Sequence, residues 1–98
     1  MKIFAAAALL LVSAPAFAAA PDAWEAFRAE VEEACLKAAE PMFEEAAATI
    51  DPFGSESFGL ALIHGKAKGA ADANIRAICV FDKQKKTVEI GGELPEEE

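Results

Sequence analysis

The feature that most constrains the fold is a single pair of cysteines, Cys35 and Cys79, separated by 44 residues. They are the only two cysteines of the chain. Paired cysteines in an exported protein normally form a disulfide, whereas a redox pair favours C-x-x-C spacing. We predict one structural disulfide within the chain, which stabilises the fold by about 4 kcal/mol on a chain-entropy argument. A redox pair and an intermolecular bridge are the alternatives.

The N-terminus predicts export. Lys2 precedes an apolar run over residues 3–12, and residues 16–18 read Ala-Phe-Ala. A basic residue, a short apolar run and an A-x-A site are typical of a secretory signal peptide. We therefore expect a signal peptide over 1–18, cleaved after Ala18, and a periplasmic or secreted protein with no membrane contact after cleavage. An uncleaved membrane anchor is the alternative.

Removal of this leader leaves about 80 residues, enough for one domain with a modest core. We expect a single small α+β domain over 19–92 and a disordered acidic tail over 93–98. The chain has a formal net charge of −8. Such a charge repels DNA, RNA and anionic membranes, so we expect no nucleic-acid binding. Basic proteins remain compatible partners.

An amphipathic helix is predicted over 22–40. Apolar residues, including Trp24, Phe27 and Cys35, recur there at steps of three and four. Asp22 is suited to the N-cap, with Glu25 three residues later as in a capping box. Pro41 interrupts the pattern, so residues 41–50 are predicted to form a second short helix or a kinked continuation.

Three strands are predicted after the helical region, over 57–68, 75–81 and 87–92. The last two are joined by the polar segment "DKQKK", which has the length of a hairpin connection. The predicted fold class is α+β: an N-terminal amphipathic helix, kinked or split at Pro41, packed on a three-stranded antiparallel meander with one disulfide.

The disulfide orients this meander, because the Cys79 side of its strand must face the helix. Alternation then places Ile75, Ala77 and Phe81 in the core, and we expect Phe58, Leu60 and Leu62 to join them from the first strand. The opposite face would carry Ala61, Ile63, Ile78 and Val80. Three environments are open for that face: burial under residues 41–50 or the Phe53 loop, burial in a dimer or partner complex, or exposure to solvent.

The chain shows no motif for catalysis. His64 is the only histidine, and no serine or cysteine nucleophile stands in a recognisable frame around it. Neither metal-ligand spacing nor a cofactor motif is present in the sequence, so no metal or cofactor is predicted.

The function we expect is that of a small non-enzymatic protein acting by protein–protein contact, as an inhibitor or accessory subunit. Its partner would be another protein of basic charge or a second copy of the chain. A small-ligand or cation-binding module is the alternative. The candidate contact residues are Ser55, Glu56, Ser57, Ile63, Ile78 and Val80.

Overall fold

The fold is α+β, as predicted: one helix lies against one face of an antiparallel sheet. The computed structural model describes residues 20–69 and 73–95, so the predicted leader over 1–18 lies outside the described residues. The elements are α1 (Pro21–Ala39), β1 (Phe43–Ile50), β2 (Phe58–Ala67), β3 (Asn74–Asp82), β4 (Val88–Ile90) and β5 (Leu94–Pro95). The strand order is β1-β2-β3-β4. Strand β5 pairs with Ile75 and Arg76 near the start of β3, whereas β4 pairs with residues 79–81.

Helix α1 begins two residues earlier than the predicted Asp22 cap would place it. Ala20 is the N-cap residue, makes no side-chain cap, and is followed by Pro21. Proline favours the first helical position because its φ is already helical and its missing N–H would have no partner there. Asp22 therefore lies within the first turn, where its charge complements the helix dipole, and the predicted Asp22 N-cap is wrong.

The buried side of α1 follows a four-residue repeat. Val31, Cys35 and Ala39 are all fully buried against the sheet. The helix packs closely against β2 at Gly59, where an added Cβ would lie 2.6 Å from Cγ2 of Val31 and 3.2 Å from the Phe27 ring. A residue without a side chain is thus needed at this position for the helix to dock at its present distance.

Residues 43–50 form strand β1, so the predicted second helix over 41–50 is wrong. Helix α1 ends at Ala39, and Pro41 lies in the turn that leads into the strand. A β-bulge between Phe43 and Glu45 inserts one residue into the pairing with β2. The bulge puts Phe43 and Ala46 on the same face three residues apart, a spacing that imitates a helix.

Over residues 20–69 and 73–95 the sheet therefore has four strands and the short β5, where three strands were predicted. An α-helix was favoured for β1 by its alanines, but pairing with β2 decides the conformation, since tertiary context routinely overrides propensity. Leu94–Pro95 pairs with β3 inside the segment predicted as a disordered tail over 93–98. Residues 96–98 lie outside the described part of the chain.

The core lies between α1 and the Cys79 side of the sheet. As predicted, Ile75, Ala77 and Phe81 of β3 are buried there. Strand β2 contributes the alternation opposite to the predicted one, because Ala61 lies directly across from Cys79 and Ile63 from Ala77. Directly opposed residues of an antiparallel pair share a face. Phe58, Leu60 and Leu62 therefore point away from the helix, and their predicted place in the core is wrong. The predicted place of Ala61 on the opposite face is also wrong, because Ala61 is buried on the helix side.

The predicted disulfide between Cys35 and Cys79 is confirmed. The two Cα atoms are 6.0 Å apart, and both residues are fully buried. The bond joins the C-terminal part of α1 to β3 and is compatible with an extracellular location. Among the described residues, α1 included, no helix is long and apolar enough to span a membrane.

Candidate functional site

The side of the sheet away from α1 carries an apolar surface, which we call the outer face. It consists of Phe58, Leu60, Leu62, Ile78 and Val80. Leu60 lies directly across from Val80, and Leu62 across from Ile78, so the four aliphatic side chains are contiguous. Ile78 is 52% exposed although it lies in the middle of β3, and Phe58 is 40% exposed.

No helix or strand among residues 20–69 and 73–95 packs over the outer face, since all strands belong to one sheet and α1 lies on its other side. One open face is usual for an antiparallel sheet, but that face is then mostly polar. Beside Leu60, Leu62 and Ile78 there is an open depression of about 540 Å³ that extends to Asp51 and Pro52. The outer face therefore has the composition of a contact surface, and no element of the described residues covers it.

Polar side chains border the outer face at the β5 end. The Thr49 hydroxyl lies 3.4 Å from Nε2 of His64, which is directly across from Arg76. Arg76 donates from one guanidinium nitrogen to the Pro95 carbonyl oxygen at 3.0 Å. Its Nε is buried and has no hydrogen-bond partner within the described part of the chain. An apolar centre with a polar border is the usual arrangement of a protein–protein interface.

The other end of the outer face adjoins the loop over residues 51–57. Asp51 folds the loop back on itself, because its Oδ1 accepts the N–H groups of Phe53 (3.1 Å) and Gly54 (3.0 Å). Gly54 has φ +75°, and a Cβ there would overlap the Phe58 carbonyl oxygen. The local backbone thus requires glycine at this turn.

Lys83 holds the loop from the β3–β4 hairpin. Its Nζ donates to the carbonyl oxygens of Phe53 (3.0 Å) and Ser55 (2.8 Å) and lies 5.0 Å from the centre of the Phe27 ring. Phe53 in turn packs edge-on against Trp24 at 5.0 Å between ring centres. These contacts order the loop without burying its outward side.

Two aspartates, one in the loop over residues 51–57 and one in the β3–β4 hairpin, have lowered pKa values. The N–H groups of Gly54 and Phe53 hold the pKa of Asp51 below its usual value of 3.8. In the hairpin, the N–H groups of Lys85 and Gln84 likewise lower the pKa of Asp82 from 3.8. Both carboxylates are therefore fully ionised at neutral pH and serve as hydrogen-bond acceptors in their turns.

The structure places two of the six predicted contact residues on the outer face and three in the loop at the end of the sheet. Ile78 and Val80 lie on the outer face, and the exposed loop residues Ser55, Glu56 and Ser57 lead into Phe58 at its end. The prediction for Ile63 is wrong, because this side chain is fully buried under α1.

Sequence reasoning missed Leu60 and Leu62 as surface residues. The only signal that could have identified them is the small size of Gly59 and Ala61, which suits the side of β2 approached by the helix. It also missed Lys83, whose loop contacts span 28 and 30 residues of sequence and leave no local pattern.

Within the described residues, no three histidine, cysteine or acidic side chains lie close enough together to hold a metal ion. Comparison of the chain with models of known protein families, with curated proteins and with solved structures finds no match.

Proposed function

We propose that this chain is a small exported, non-enzymatic protein that acts by protein–protein contact through the outer face and the adjoining loop over residues 51–57. The observation that carries the proposal is the exposure of Ile78, at 52%, in the middle of the sheet and among other aliphatic side chains. Contiguous exposed apolar surface marks interaction sites in soluble proteins.

The order of the loop supports a binding role. A partner that contacts Ser55, Glu56 and Ser57 meets a backbone already fixed by Asp51 and Lys83. Binding to a preordered loop avoids the entropy cost of ordering it, about 0.5–1.5 kcal/mol for each immobilised flexible side chain. The affinity of such a surface can then come from its apolar centre.

The charge of the chain favours a basic partner. A net charge of −8 accelerates the encounter with a positively charged protein and slows the encounter with an acidic one. With this charge, the chain is suited to inhibit a basic exported hydrolase or to act as an accessory subunit of such an enzyme.

The surroundings of His64 also fit binding better than catalysis. Its imidazole contacts the Thr49 hydroxyl, but among the described residues no carboxylate is hydrogen-bonded to the imidazole to orient it as a general base. The pair borders an open sheet surface instead of lining an enclosed pocket.

The test is capture of partner proteins by wild-type chain and by two variants, read by quantitative mass spectrometry. Ile78→Glu places a charge in the centre of the outer face, whereas Ala29→Glu adds the same charge at an exposed position of α1. We expect Ile78→Glu to abolish a capture that Ala29→Glu retains, with the melting temperature of both variants near that of the wild type. Equal capture by all three chains would refute the proposal.

A further inference from the structure

Strand β1 has one edge whose backbone groups are unpaired. The Asp51 N–H donates to the Leu60 carbonyl oxygen at 2.9 Å, and Ile50 lies across from Ala61. Hydrogen-bonded and non-hydrogen-bonded pairs alternate along an antiparallel ladder. The N–H and C=O groups of Ala46, Ala48 and Ile50 therefore point away from β2.

No strand among residues 20–69 and 73–95 pairs with that edge. Natural edge strands are commonly protected by charged side chains, proline or a bulge. The bulge and the two glutamates of β1 lie at its start, and the segment from Ala46 to Ile50 carries none of these devices. The three consecutive alanines at positions 46–48 also leave room for another strand to approach.

The carboxylates around this edge select the charge of the incoming strand. Glu44, Glu45 and Asp51 are exposed at its two ends, with Lys66 across from Glu45 as the nearest cation in the register. Strand β1 itself contains no basic residue. A strand that brings lysine or arginine to either end gains favourable contacts that an acidic strand forfeits.

A second copy of the chain does not meet this requirement. In the antiparallel register that uses all three outward-facing residues of both copies, Ala48 faces Ala48, and Glu45 of each copy falls beside Asp51 of the other. Like charges placed directly opposite each other destabilise a strand pair. Pairing of β1 with β1 of a second chain is therefore disfavoured, whereas pairing with a basic strand is favoured.

From these observations we propose that β1 binds an extended basic segment of a partner protein by strand addition, with the partner's backbone paired to Ala46, Ala48 and Ile50. The added strand would place alternate side chains on the same side as the outer face, next to Thr49 and the depression beside Leu62. The inference rests on the proposed function, because it states how the partner reaches that surface.

The test uses a short synthetic peptide of alternating valine and threonine flanked by lysines, and a matched peptide flanked by glutamates. Amide hydrogen exchange of the oxidised wild-type protein is followed by NMR with and without each peptide. We expect the lysine peptide to slow exchange at Ala46, Ala48 and Ile50, while Ala47 and Thr49, already bonded to β2, change little. We also expect the glutamate peptide to bind about tenfold more weakly or worse at low salt.

A proline variant supplies the matched control. Ala48→Pro removes only an outward N–H and leaves the ladder to β2 intact, whereas Ala48→Ser keeps that N–H. We expect the proline variant to lose peptide binding and the serine variant to retain it. The exchange pattern is read on the wild-type chain, so the test does not depend on the folding of either variant.

Each of three results of the exchange experiment would overturn the inference. The first is no alternating protection with the lysine peptide, and the second is equal binding of the two peptides. The third is concentration-dependent protection of the same amides without any peptide, which would assign the edge to a second copy. Loss of partner capture with Ile78→Glu but not with Ala48→Pro would retain the proposed function and reject strand addition.

Discussion

The register of β2 with β3 determines which side chains of β2 face the core. Two alanine substitutions test this assignment. Ile63 is fully buried under α1, whereas its neighbour Leu62 is half-buried on the outer face. Each substitution removes aliphatic carbons from one strand at adjacent positions. The difference in their effects therefore reports the side of the sheet and little else.

The expected magnitudes follow from burial. Ile63→Ala deletes side-chain carbons from a closed core, and such substitutions cost about 2–5 kcal/mol because a cavity remains. In a domain of this size a loss of about 3 kcal/mol lowers the melting temperature by about 12–24 °C. Leu62→Ala creates no enclosed cavity and removes only partly buried surface, so we expect a loss of about 1 kcal/mol or less.

Urea unfolding of the oxidised protein measures both losses. The single tryptophan, Trp24, lies in α1 against Phe27 and Phe53, so its fluorescence reports the docking of the helix and loop. Circular dichroism gives an independent probe of the same transition. An equal loss for the two variants, or a larger loss for Leu62→Ala, would refute the assignment of the outer face.

Three further predictions concern the framework of the fold. Replacing Cys35 and Cys79 together by alanine should lower the free energy of unfolding by about 4 kcal/mol in urea, and a loss below about 1 kcal/mol would contradict a stabilising role for the bond. Gly59→Ala should cost about 1–3 kcal/mol by overpacking, since the added methyl would lie 2.6 Å from a carbon of α1, and unchanged stability would mean that the helix can shift freely. Because the folded-state pKa values of Asp51 and Asp82 lie below the usual 3.8, their contribution to stability is present above that pH and lost as the pH falls below it. Replacing both by asparagine should flatten the acid side of the stability profile measured by thermal unfolding, and an unaltered profile would contradict the assigned cause.

The helix and the disulfide were predictable because both depend on strong patterns in the sequence. The apolar spacing around Cys35 identifies the buried side of α1, and a predicted export signal together with only two cysteines implies one bond. That bond then oriented β3 correctly, which is why Ile78 and Val80 were placed on the right face from sequence alone.

The first two strands were harder to predict for separate physical reasons. In β1 the bulge at Phe43 and Glu45 breaks the two-residue alternation, and the alanines that follow favour helix. In β2 both alternations contain apolar side chains, so periodicity cannot choose between Leu62 and Ile63. The choice depends on the register with β3, which is fixed by long-range pairing and by the close approach of the helix.

The candidate site was predictable only in part. The loop residues Ser55, Glu56 and Ser57 stand out by composition, but the reason for their order is Lys83, which reaches them from the hairpin. A contact of this kind has no sequence signature and is found only in the folded chain.

Site-specific photo-crosslinking shows whether the outer face binds another protein. A photoreactive phenylalanine analogue replaces Ile78 in one variant and Ala29 on α1 in a control variant. Both variants are expressed in the organism that naturally produces the protein. We predict that position 78 gives a covalent adduct with a distinct partner protein, that Leu62→Glu removes this adduct, and that position 29 does not form it. The absence of an adduct at position 78, or the same adducts from both positions, would contradict binding by the outer face.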